Sequence, residues 1–215
     1  MVYLTVLKKI FIKEKVLHSL LFAVIPALLF YVVSLAVLRS VGFNEIEILR
    51  DPAQQNEQSS FLGFLSNIGI WLWVSSAAIC FFSAMTGNFS TENRQRELLF
   101  LTGILSATLA VDDFFLIHDR YVSENLCFLA YAVFAGALLR RHYQLIEEVE
   151  GFAFLLAGLL LALSILTDLT QNRIPLPYYI IQVYEEGFKF IGGAVWLYFC
   201  FRLAAFHPLS SGADN

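Results

Sequence analysis

The chain has 215 residues, of which 58% are hydrophobic and only 15% are charged, and its formal net charge is −4. Soluble domains average about half apolar and about a quarter charged residues, so this composition excludes an ordinary water-soluble enzyme and a disordered chain. The acidic balance also argues against a nucleic-acid-binding protein, because such proteins present a basic surface to phosphates. The class that remains is an all-α integral membrane protein.

Apolar blocks of the length that a membrane requires occur six times along the chain. A spanning helix needs about 20 mostly apolar residues, with about 17 to 25 tolerated. The predicted spans are His18–Leu38, Phe61–Met85, Leu98–Ile117, Tyr121–Leu139, Gly151–Thr167 and Tyr178–Phe201. We therefore predict a six-span transmembrane helix bundle over residues 18–203. A basic cytoplasmic or interfacial segment, 1–17, precedes it, and a cytoplasmic tail, 204–215, follows it.

The distribution of basic residues predicts the orientation of these spans. Lys and Arg favour the cytoplasmic side of a membrane. With the N-terminus inside, the inner segments hold Lys8, Lys9, Lys13, Lys15, Arg94, Arg96, Arg140, Arg141 and Arg202. The outer segments hold only Arg39, Arg50, Arg120 and Arg173. This excess predicts an N-in/C-in, multi-pass protein, and for a bacterial-looking chain the membrane is the inner one.

A first cluster of ionisable residues closes the third predicted span, where Asp112 and Asp113 are followed by His118 and Asp119. Such groups are costly in hydrocarbon and normally face a bundle interior or a water-filled cavity. Asp112 and Asp119 fall on nearly one line of a helix at about 100° per residue. His118 points away from Asp112 if the helix continues, or turns inward if it caps the helix end. The two aspartates could also be helix-end residues wetted from outside.

A second cluster forms one polar face early in the sixth predicted span. At about 100° per residue its members share an arc of about 120°. They are Tyr178, Gln182, Glu185, Glu186, Lys189, Gly192, Gly193 and Trp196. The two glycines would let a neighbouring helix approach closely. An alternative is that Lys189 pairs with a glutamate one turn away and only fixes helix packing.

The two clusters lie at one depth of the predicted bundle. Asp112 lies about 9 Å and Glu185 about 10 Å below the outer boundary at a rise of about 1.5 Å per residue. Asn67 on the second span reaches a similar depth, and Asp168 closes the outer end of the fifth span. Asn67 could instead be a hydrogen bonder between helices. The arrangement predicts a shared polar site in the outer half of the membrane.

Charge at that depth must be compensated. If ionised, four carboxyls and one Lys leave a residual −3, which requires protonated carboxyls or a bound cation. Mixed Asp, Glu and His donors suit a divalent metal ion. The predicted metal ligands are Asp112, Asp113, His118 and Glu186. The predicted catalytic residues are Glu185, Glu186 and Lys189, supported by Asn67, Asp119, Asp168 and Gln182.

The segment Glu185-Glu186-Gly-Phe-Lys189 resembles the Glu-Glu-x-x-Lys/Arg motif of the CAAX-type intramembrane proteases and their bacterial relatives. The resemblance covers five residues. In that superfamily, glutamates and histidines from several spans build a site inside the bilayer, and further motifs follow the glutamates. Here the glutamates lie on the last span and the candidate His118 lies upstream. The resemblance implies an analogous site chemistry.

These observations predict a metal-dependent, membrane-embedded hydrolase or transferase that acts on a lipid or membrane peptide. Glu185 or Glu186 would activate water directly or through the metal, and Lys189 could stabilise an oxyanion. Two alternatives are a proton- or cation-coupled transporter or channel subunit, and a structural accessory subunit. The predicted partners are the lipid bilayer and such a substrate, with no nucleic acid, and an oligomer is compatible with the sequence.

Overall fold

The computed structural model describes residues 17, 21, 24–49, 52–59, 61–87, 93–173 and 175–206. All regular structure in these ranges is helical. The chain divides into two compact units, Met1–Leu62 and Gly63–Asn215. Except for Leu17, the predicted segment 1–17 lies outside the described residues, as does the predicted tail beyond Phe206.

The first unit contains three described helices, α1 (Ile25–Ser40), α2 (Glu45–Leu49) and α3 (Pro52–Gln55). The start of α2 is a capping box, in which Asn44 and Glu47 exchange side-chain-to-backbone hydrogen bonds of 2.8 and 3.0 Å. The apolar part of α1 is shorter than a membrane span requires. The first residues of the predicted first span lie outside the described residues.

The second unit holds four described helices that are long and apolar enough to cross a membrane. They are α4 (Phe64–Thr86), α5 (Asn93–Phe115), α7 (Glu124–Thr170) and α8 (Tyr178–Ala205), with the short α6 (Ile117–Arg120) and a 3₁₀ turn (Gln171–Arg173) between them. Many of their Leu, Val and Phe side chains are exposed over long surfaces, which is typical of contact with lipid or another apolar partner. The prediction of apolar, membrane-length helices is confirmed at this level.

Helix α7 folds back on itself. Its backbone leaves helical geometry at His142 (φ −119°, ψ 22°) and at Glu150 (φ −171°, ψ 64°). A straight helix of this length would extend about 70 Å. Yet Glu124 and Asp168, at its two ends, lie close enough for their carboxyls to interact. The two arms, 124–141 and 151–170, therefore run antiparallel, and the apolar blocks predicted as the fourth and fifth spans lie on them except for residues 121–123.

Ion pairs at the break align the arms with their neighbours. Arg141, at the end of the first arm, donates a 2.8 Å hydrogen bond from Nε to Glu97 near the start of α5. Glu150, at the start of the second arm, lies 3.6 Å from Nε of Arg202 near the end of α8. Each arm is thus antiparallel to the helix with which it pairs.

The core between these helices is aromatic and closely packed. The rings of Phe154, Trp196 and Phe199 contact one another with centroids 5.2–5.7 Å apart. Cys80 and Cys200 are fully buried free thiols, as expected for small apolar fillers. Helix α8 packs against both α7 and α4 along this core.

Close packing of α8 against α7 gives a stability prediction. A Cβ added at Gly192 would lie 3.1 Å from Cγ of Leu161, whereas at Gly136 nothing lies within 4 Å. We expect Gly192→Val to lower the unfolding temperature in detergent by several degrees, because overpacking costs about 1–3 kcal/mol. Gly136→Val is the matched control and should change it little. Equal shifts in the two variants would contradict the contact.

Candidate functional site: an acid-rich cavity

A cavity of about 580 Å³ lies at one end of the helices, where α5 ends, α7 begins and ends, and α8 begins. We call this end of the second unit the acidic end. Its lining brings together the two ionisable clusters that the sequence places at one depth. Its polar lining residues are Ser66, Asp112, Asp113, His118, Asp119, Glu124, Tyr131, Ser164, Asp168, Gln171, Tyr178, Gln182, Glu185, Glu186 and Lys189. All predicted site residues except Asn67 therefore line one space.

An ion pair between α8 and α5 lies in the wall of this cavity. Nζ of Lys189 is 2.8 Å from Oδ1 of Asp113, whose side chain is only 12% exposed. The indole N–H of Trp73, on α4, donates a 3.0 Å hydrogen bond to the other carboxylate oxygen. Three helices thus meet at Asp113. Lys189 pairs across helices with Asp113, and this pair compensates one carboxylate charge without a metal.

Asp112 and His118 form a second pair beside the first. The backbone N–H of His118 donates to Oδ1 of Asp112 at 2.9 Å, and the ring Nδ1 lies 2.9 Å from Oδ2. Leu116, between them, has the left-handed backbone conformation (φ 54°), which lets the chain turn back. The His118 ring therefore turns inward, with Nε2 3.5 Å from Oδ1 of Asp119.

This pairing determines what His118 can do. A histidine whose Nδ1 is held by a carboxylate presents Nε2 in a fixed direction, as in metal ligands and general bases. The Asp112 side chain is 5% exposed and the His118 side chain 14%. The pair is therefore shielded from bulk solvent while the ring still faces the cavity.

Further carboxyls line the same cavity. Gln182 donates a 2.9 Å hydrogen bond to Glu185, and Gln171 donates a 2.8 Å bond to Asp168. Asp168 also contacts Glu124 across the two arms of α7. Glu186 is exposed and lines the cavity. These carboxyls make the lining strongly acidic beyond the two pairs.

Sequence reasoning missed three contributors to the site. Trp73 lies in the apolar stretch 68–74, and only its hydrogen bond to Asp113 reveals its role. The Tyr131 hydroxyl interacts with the Asp112 carboxyl, and Glu124 contacts Asp168. Tyr131 follows Glu124 by two helical turns, so both lie on one face of the first arm, and this spacing was a usable signal.

Asn67 is the predicted supporting residue that the structure does not bring to the cavity. Its side chain is exposed, and its neighbour Ser66 lines the cavity instead. Adjacent residues of a helix point about 100° apart, so depth alone does not determine which of them faces inward.

Asp112, Asp113 and His118 form a group that could hold a metal ion. Each offers one donor atom, and the three atoms lie within 4.8 Å of one another. Two carboxylates and an imidazole are suitable donors for several divalent metals. Binding would exchange present contacts, since Asp113 is held by Lys189 and Trp73 and both carboxylate oxygens of Asp112 are engaged by His118. Glu186 is not part of this group as the described side chains are placed.

In the part of the chain that the structure describes, the protein is all-helical. It combines apolar helices of membrane-spanning length with an acid-rich cavity. Residues 19–203 match the family described as "Domain of unknown function (DUF8692)", and the chain belongs to this family. No curated protein and no solved structure matches the chain.

The ion pair across α5 and α8 gives a testable coupling. Lys189→Met leaves the Asp113 carboxylate without its counter-charge, and we expect a loss of up to about 3 kcal/mol of stability. Adding Asp113→Asn to that variant should restore much of the loss, because the unpaired charge is removed. Thermal unfolding in detergent measures both effects.

Arg120→Met is the matched control, because it removes an exposed basic residue at the acidic end. It should change the unfolding temperature little. Additive losses in the Asp113/Lys189 double variant would show that the two residues do not interact.

Proposed function

We propose that the protein is a membrane-embedded hydrolase or transferase that acts on a lipid or a membrane peptide. The observation that carries the proposal is the Asp112–His118 pair beside Asp113 and Lys189 in the wall of a cavity of about 580 Å³. That volume lies in the range of small-molecule sites, about 300–1,000 Å³. The arrangement supplies an oriented imidazole and an adjacent cation facing space for a substrate.

The proposal assigns a chemical role to each of the main cavity residues. A divalent metal held by Asp112, Asp113 and His118 would lower the pKa of a bound water and supply the nucleophile. Glu185 or Glu186, which line the cavity, would accept its proton. Lys189 would stabilise negative charge that develops on the substrate oxygen.

Closure of the cavity at its inner end supports an enzyme over a transport pathway. The lining ends at the level of Leu105, Phe154 and Trp196. Beyond this level most buried side chains of the described helices are apolar, including Leu98 and Phe199, and the buried polar residues Thr102, Gln95 and His142 lie outside the cavity lining. A conducting pathway requires a continuous line of polar groups or water to the inner surface.

We further propose that the chain crosses the inner membrane six times, with both termini in the cytoplasm. In support, several basic residues lie at the helix ends opposite the acidic end, where Lys and Arg are favoured on the cytoplasmic side. They are Arg94, Arg96, Arg140, Arg141 and Arg202. The cavity would then lie near the outer leaflet.

Metal content tests the chemical part of the proposal. We expect purified protein incubated with Zn²⁺ or Mn²⁺, then desalted, to retain about one ion per chain by elemental analysis. Asp112→Asn and His118→Gln should each lose it, because each removes a ligand. Asp168→Asn, a carboxyl of the same cavity outside the group, is the control and should retain it. Glu186→Gln determines whether Glu186 is a further ligand.

Product analysis then tests the reaction itself. Proteoliposomes made from a bacterial lipid extract should release new headgroup or chain fragments, detected by mass spectrometry, that the His118→Gln protein does not form. An ion flux without such products, and without bound metal, would instead identify a transporter.

Reporter fusions test the topology. A fluorescent protein that matures only in the cytoplasm should fluoresce at either terminus, because both termini are proposed to be inside. Alkaline phosphatase inserted at Arg173 should be active, since that turn is proposed to be outside. The reverse pattern would place the acidic end in the cytoplasm.

A further inference from the structure

We infer that the cavity binds a long-chain amphiphile with a positively charged amine headgroup, whose chain enters sideways between the two arms of α7. The inference deepens the proposed function by naming the substrate class of the same site, and rests on it only for that site being where the substrate binds. It depends on three features of the cavity, namely its side opening, its apolar inner part and its charge.

The side opening lies between the two arms of α7. Ala132 on the first arm and Gly158 and Ala162 on the second line the cavity and are also exposed. A Cβ at Gly158 would meet nothing within 4 Å. By helical rise, Ala132 lies about 12 Å below Glu124, and Ala162 lies about 9 Å below Asp168. The opening is therefore well below the acidic end, along the apolar length of the arms.

The surface around the opening is apolar and suits contact with hydrocarbon chains. The three small residues have large, apolar and exposed neighbours on the same arms. These neighbours include Leu129, Val133, Leu155 and Leu159. A water-filled entrance would place these side chains against water, which is unfavourable over a continuous surface. An alkyl chain can instead pass between Ala132 and Gly158 without leaving an apolar environment.

The inner part of the cavity continues this apolar path. Its lining on both arms and on α5 consists of aliphatic and aromatic side chains. They include Leu105, Leu109, Phe128, Ala135, Leu161 and Ile165. A chain in this part would place its polar end against the carboxyls at the acidic end, because the opening and the carboxyls lie at different depths.

The charge of the lining selects the headgroup. Seven carboxyls line the cavity, Asp112, Asp113, Asp119, Glu124, Asp168, Glu185 and Glu186, against two basic side chains, Lys189 and His118. Both basic side chains already face aspartates at 2.8 and 2.9 Å. Even with one proton shared between Glu124 and Asp168, the carboxylates outnumber the basic side chains, so a phosphate or carboxylate headgroup would meet uncompensated negative charge and an ammonium group would be attracted. Phe128 and Tyr178, also in the lining, offer aromatic faces to such a cation.

Photo-crosslinking in lipid nanodiscs tests the inference with three probes of identical chain. The probes are diazirine-bearing hexadecyl amine, hexadecanol and hexadecanoic acid, and peptide mass spectrometry locates the label. We expect the amine to label the arms of α7 near Ala132 and Ala162 about tenfold more than the acid does, the size of effect that one charge pair gives. The alcohol should fall between them.

Variants separate the headgroup from the chain. The Asp168→Asn/Glu185→Gln double variant should reduce amine labelling to the level of the alcohol. Ala132→Phe should block the opening and remove labelling by all three probes. Ala130→Phe makes the same change on the opposite face of the same helix, where the residue is exposed and outside the lining, and should leave labelling unchanged. Thermal unfolding of each variant confirms that it is folded.

Three outcomes would overturn the inference. The first is equal labelling by the three probes, and the second is labelling that Ala132→Phe does not alter. The third is a gap filled by protein, shown when Ala132→Cys cross-links to another segment or to a second copy and the probes do not reach it. The assay needs neither metal nor turnover, so tenfold preference for the amine without metal or products would refute only the proposed hydrolase.

Discussion

The ion pair between Lys189 and Asp113 is the contact on which the rest of the site depends. It compensates a mostly buried carboxylate, and it joins α8 to α5 at 2.8 Å. Trp73 adds α4 to the same carboxylate. With α5 held at this level, Asp112 is directed toward His118, and the chain turns at Leu116 so that the imidazole reaches it. Removing the pair would leave a charge in low dielectric, where it is costly.

The acid-rich cavity and the fold-back of α7 are two consequences of one arrangement. The two arms bring Glu124 and Asp168 together at one end, so a single long helix contributes carboxyls from both its termini. Small residues lower on the same arms keep a space between them. The result is a cavity that is charged at one end and apolar along its side, which suits a ligand with a polar head and a hydrocarbon chain.

Most of the candidate site could be predicted from helical periodicity and from the depth of each residue along its span. The polar face of α8 and the level of Asp112, Asp113 and Glu185 follow from rise and rotation per residue, and the structure brings these residues together. The same reasoning left the turning points open. The inward turn of His118 was one of two alternatives, and it depends on a left-handed Leu116, which no propensity predicts. Asn67 shows the other limit, since depth gave its level but not the direction in which it points.

The most direct measurement is an experimental structure of the protein in a lipid nanodisc, read at the contact between α5 and α8. We expect the ammonium of Lys189 to lie within hydrogen-bond distance of Asp113, with Trp73 on the other carboxylate oxygen. A separation of more than about 6 Å between the two charges, beyond the range at which they stabilise each other strongly, would contradict it. In that case the two clusters would not form one site.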